Sequence, residues 1–97
     1  MAYDPGAIDA ALSAAVGEDA ALIAELRTAL AESVARALLS MRQARDEEAW
    51  RTAAGRLRGL AASFGAVRLM ALAASACDGA AGDAEMLRKL ERAAARL

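Results

Sequence analysis

Apolar residues recur along the chain at steps of three and four, and the breaks between these runs divide it into five helical segments. The longest run, Ile23, Leu26, Leu30, Val34, Ala37 and Met41, predicts one long amphipathic helix behind a capping Asp19. Before it, Asp4-Pro5 reads as a helix entry, because proline at the first helical position loses no needed hydrogen bond. The short helix so begun is expected to run to about Val16 and close at Gly17. Arg45-Asp46-Glu47-Glu48 interrupts the apolar pattern, and its acidic residues suit a new amino-terminal turn. The third helix then carries Trp50, Ala53, Leu57, Leu60 and Phe64 and ends at Gly65, where a left-handed residue closes it. A fourth helix follows with the stripe Val67, Met70, Ala74 and Cys77. The segment "DGAAGD", Asp78 to Asp83, is the clearest loop. Asp83 caps a last helix whose apolar face is Met86, Leu87, Leu90, Ala94 and Leu97.

Strand-favouring residues are scarce and Pro5 is the only proline, so the fold class is all-α. Short connections favour antiparallel neighbours. The expected architecture is an antiparallel up-and-down four-helix bundle with a short extra N-terminal helix across it, residues 1–97 forming a single domain. Close to a third of the chain is alanine, which contributes little apolar area per residue, so stability rests on many close helix contacts.

Charge and composition exclude several function classes. The formal net charge is −1 and the signs are mixed along the chain, which gives no argument for nucleic acid or an anionic membrane as partner. The chain has no histidine, which removes the commonest general base, the commonest metal ligand and every phosphohistidine mechanism. No metal and no cofactor are expected, and no enzymatic activity. One cysteine, Cys77, excludes an intramolecular disulfide and fits a reducing compartment; it lies in an apolar stripe and reads as a small buried residue. The longest uncharged runs, Gly59 to Val67 and Leu69 to Cys77, fall far short of the ~20 residues of a membrane-spanning helix. With no basic start and apolar run to mark a secretion signal, a cytoplasmic location is expected.

The third helix holds the one feature that the helical pattern does not explain. Gly55 and Gly59 lie a turn apart in its interior, where each glycine costs on the order of 1 kcal/mol relative to alanine. At about 100° per residue, the stripe centred on Leu57 and Phe64 puts Gly55 almost opposite the core. Ala62 shares that outward face, and Arg51, Arg58 and Gly59 flank it. Solvated helix faces usually carry long charged side chains, so a face of tiny residues between guanidinium groups suits close approach by another helix, by a symmetry mate or by a partner protein. Leu39, on the second helix, points away from its stripe onto a face shared with Glu25, Glu32 and Arg36; beside Gly55 it would supply the apolar centre of a docking patch.

The segment "AAGRLRGLAASFGAVRL" resembles the signature helix of histidine-containing phosphotransfer (HPt) domains. That pattern runs alanine, histidine, any residue, leucine, lysine, glycine, small residues, a hydrophobic residue, glycine and alanine, with a leucine shortly after. Leu57, Gly59, Phe64, Gly65, Ala66 and Leu69 fall on it, Arg58 stands where lysine is usual, and Gly55 stands where the family has its histidine. The spacing from Asp9 through "VGEDAALIAEL", then "ARDEEAW", the signature and a glycine-containing loop, extends the resemblance over nearly the whole chain.

In such domains the histidine exchanges a phosphoryl group with the aspartate of a receiver domain, the lysine holds that group electrostatically, and the glycine leaves room for docking. In-line attack, charge neutralisation and close approach are what phosphoryl transfer requires. This chain keeps the last two and lacks the first. The resemblance therefore implies a non-catalytic adaptor or competitor that binds a response-regulator receiver domain or a histidine kinase through Arg51, Gly55, Arg58, Gly59 and Ala62, with Leu39 as an apolar contributor. The alternative is a self-associating helical bundle with no phosphorelay partner, and the expected state is a monomer or weak homodimer.

Overall fold

The structure, a computed structural model, describes residues 6–97, with side chains from residue 10 onward. The described residues are all-helical, with no strand. The helices are α1 (Gly6–Val16), α2 (Ala20–Gln43), α3 (Glu47–Ser63), α4 (Val67–Cys77) and α5 (Ala84–Ala95). The expected entry at Asp4-Pro5 lies outside the described residues.

Three aspartates start helices as their positions predict. Asp19 accepts from the Leu22 amide at 3.1 Å, Asp46 from Ala49 at 2.7 Å, and Asp83 from Glu85 and Met86 at 3.0 and 3.1 Å. Each satisfies amides that have no partner within their own helix. Gly17, Gly65 and Gly82 take positive φ, and the first two close α1 and α3. At Gly65 the closure is a Schellman turn: the Ala66 amide donates to Ala61 O at 2.9 Å and the Gly65 amide to Ala62 O at 3.3 Å. α4 has no side-chain cap and starts directly from this turn.

α2 packs against α3, α3 against α4, α4 against α5, and α5 returns to α2; among the described residues α1 packs on α2 alone. The core holds Leu12 of α1, Leu30, Val34, Ala37 and Met41 of α2, Trp50 and Leu57 of α3, Leu69 of α4 and Leu90 of α5. The indole Nε1 of Trp50 donates to Ala76 O at 2.8 Å, tying the start of α3 to the end of α4 inside the core.

One expected stripe is widened and one is rotated. On α3 Trp50, Ala53 and Leu57 are buried as expected, Ala54 and Ala61 join them, and Leu60 and Phe64 are half-buried against the core. On α4 the buried residues are Leu69, Ala73 and Ala76; Met70, Ala74 and Cys77 are half-buried and Val67 is 48% exposed. α4 is apolar nearly all round, so periodicity alone leaves its orientation open. α3 and α4 pack on each other, and Ala54 and Ala61 of α3 and Ala73 and Ala76 of α4 are each 1% exposed or less. Small side chains let the backbones come close, which places the larger residues on the rim.

α2 is 24 residues long and α5 only 12, or about 36 Å against about 18 Å at 1.5 Å per residue. The amino-terminal part of α2 thus extends past most of its neighbours. Ile23 and Leu26 there are half-buried and Leu22 is 38% exposed, although the first two continue the core stripe.

Candidate functional site

α3 carries the residues singled out by the sequence, and the core stripe orients them. With Trp50, Ala54, Leu57 and Ala61 facing inward, Gly55 lies on the opposite side of the helix, and Arg51, Gly55, Arg58, Gly59 and Ala62 are all exposed. A Cβ built at Gly55 or Gly59 meets no atom within 4 Å. No neighbour inside the protein requires either glycine.

The three arginines at the centre of α3 divide between its two shoulders. Arg56 lines the cleft between α2 and α3, together with Ser40, Thr52 and Ala53. Arg51 and Arg58 are two turns apart on the other shoulder, about 140° and about 160° of rotation from Arg56 and about 10 Å from each other along the axis. Among the described residues neither holds an ion pair or a side-chain hydrogen bond. Ser63 Oγ donates back to Gly59 O at 2.9 Å, which keeps its hydroxyl on the helix. The resulting surface is a shallow strip of backbone and methyl groups with two unengaged positive charges on one border. Chemically it can receive a close-packed, negatively charged surface.

Leu39 does not join this strip. It is 50% exposed and lines a cleft with Ala35, Leu38, Arg42 and Glu91, on the α5 side of α2. α3 meets α2 on the side of Ser40, so α2 itself separates Leu39 from Gly55.

The residues on which the resemblance rests separate into two groups. Gly65 and Ala66 make the Schellman turn, and Ala66 and Leu69 are buried against the core. Gly55, Arg58 and Gly59 have no such task. Cys77 is a half-buried free thiol. Among the described residues no group of three or more His, Cys, Asp or Glu side chains is placed to hold a metal ion, and no helix is long and apolar enough to cross a membrane. A scan against protein-family models, a search of curated proteins and a search of solved structures each find no match.

Proposed function

We propose that the chain is a phosphate-free binder of HPt type, a non-catalytic adaptor or competitor that engages a receiver domain or a histidine kinase through the outward face of α3. The observation that carries this reading is the open space over Gly55 and Gly59. Two helix-weakening residues stand where the fold has no use for them, at the positions where the HPt signature has its phospho-accepting histidine and its clearance glycine. The cyclic packing of α2, α3, α4 and α5, with α1 laid on α2, agrees with an up-and-down four-helix bundle of that family.

Binding without transfer follows from the residue types. The chain has no histidine to phosphorylate, and glycine at 55 lets a partner helix approach the α3 backbone. Arg51 and Arg58 then lie within reach of the acidic pocket of a receiver, and the association weakens as salt is raised.

The test is a titration of the protein with receiver domains and kinase dimerisation domains from the same genome, with receivers in both phosphorylation states. Saturable binding to one of them, weakened about tenfold or more by Gly59→Leu and by Arg58→Glu, is the expected outcome. Binding to none of them overturns the reading. Gly55→His is expected to accept a phosphoryl group from a phosphorylated receiver, with acid-labile label as the readout.

A further inference from the structure

The surface of α2 turned away from α3 has a second set of features that receiver binding leaves unused. An open cleft of about 490 Å³ lies between α2 and the end of α5, lined by Arg27, Thr28, Ala31, Ala95 and Leu97 among others. Two further clefts continue it along α2 past Ala35 and Leu38 to Leu39 and Arg42. The groove is largely apolar and has Leu39, half exposed, at one end.

We propose that this surface is the interface of an antiparallel homodimer, with a two-fold axis beside Ala35 and the Leu38–Leu39 edge of each copy seated on the cleft of the other. Two separate observations select a second copy as the occupant. The first is spacing. Ala31, on the wide cleft, and Leu39, the exposed leucine, each lie four residues from Ala35. An isologous antiparallel pairing about Ala35 therefore sets the leucine of one copy over the cleft of the other, twice. Thr28, Ala31 and Ala35 are exposed, so the two α2 helices can approach closely.

The second observation is charge. Glu32 and Arg36 are exposed on the shoulder of α2 away from α5. In an antiparallel helix pair each shoulder faces the same shoulder of the other copy. Glu32 then meets Arg36 of the second copy and Arg36 meets its Glu32, about a midpoint at position 34, within one residue of the axis set by Ala31 and Leu39. Among the described residues Arg36 Nη2 donates only to the neutral Ser33 Oγ, so its charge is available for this exchange. On the other shoulder Arg42 is already paired with Glu91.

The inference does not rest on receiver binding, since it uses the opposite part of the molecule. Sedimentation velocity of the full chain over a concentration series up to millimolar is expected to show a monomer–dimer equilibrium. Glu32→Arg is expected to weaken the dimer about tenfold or more, and Glu32→Arg with Arg36→Glu to restore it. Ala35→Glu, a change at an exposed site, should leave a folded monomer by circular dichroism. In a Cys77→Ser background, Ala35→Cys is expected to oxidise to a disulfide-linked dimer and Ala21→Cys is not. A monomer at every concentration overturns the proposal. So does a dimer indifferent to Glu32→Arg, or one dissociated by Gly59→Leu instead.

Discussion

At Gly55 and Gly59 the helix has free space where a Cβ would stand, so the usual structural reason for glycine, a close neighbour, is missing inside this protein. Both are in the interior of α3 and neither has a positive φ. Gly55→Ala and Gly59→Ala are accordingly expected to stabilise the protein, by about 0.5–1 kcal/mol each, through the lower entropy of the unfolded chain. Urea unfolding midpoints measure this, and a loss of stability at either site would show a packing requirement that the fold does not display. Gly65 behaves in the opposite sense, because its φ of 67° is one that a side chain strains.

That strain acts on an element, the turn from α3 to α4. The turn is closed by backbone hydrogen bonds with no side-chain cap, so the left-handed glycine is its main determinant. Gly65→Ala is expected to cost about 1–2 kcal/mol, read as a lower thermal midpoint with helix content retained below it. The orientation of α4 is an element-scale property too. Its residues are apolar on most sides, and packing on α3 and α5 selects which of them are covered. Val67 is left exposed and Met70 half-buried as a result.

For the whole molecule, the ring of packing partners keeps two surfaces apart. The glycine strip lies on α3 and the leucine cleft on the α2–α5 side, with the core between them. A dimer formed through α2 therefore leaves both α3 faces open. If both surfaces are used, the complex with a receiver domain has two receivers per dimer, and light scattering of the purified complex measures that stoichiometry. A mass corresponding to one receiver per dimer would mean that the two surfaces interfere. The two sets of variants separate the surfaces: Arg58→Glu is expected to weaken receiver binding and leave the oligomeric state, whereas Glu32→Arg does the reverse.

The all-α class, the helix starts at Asp19, Asp46 and Asp83 and the stops at Gly17 and Gly65 were determined by sequence alone, because caps and left-handed glycines act over four or five residues. The outward direction of Gly55 was legible for a similar reason: α3 has one well-defined apolar stripe and a fixed angle per residue. Three features were decided only by tertiary structure. The facing of α4 depends on how it packs on α3 and α5, since one-dimensional periodicity is degenerate in an apolar helix. The separation of Leu39 from Gly55 depends on the sides on which α3 and α5 meet α2, a relation between elements distant in the chain. The openness over the two glycines depends on what every other helix leaves uncovered, which only the complete packing specifies.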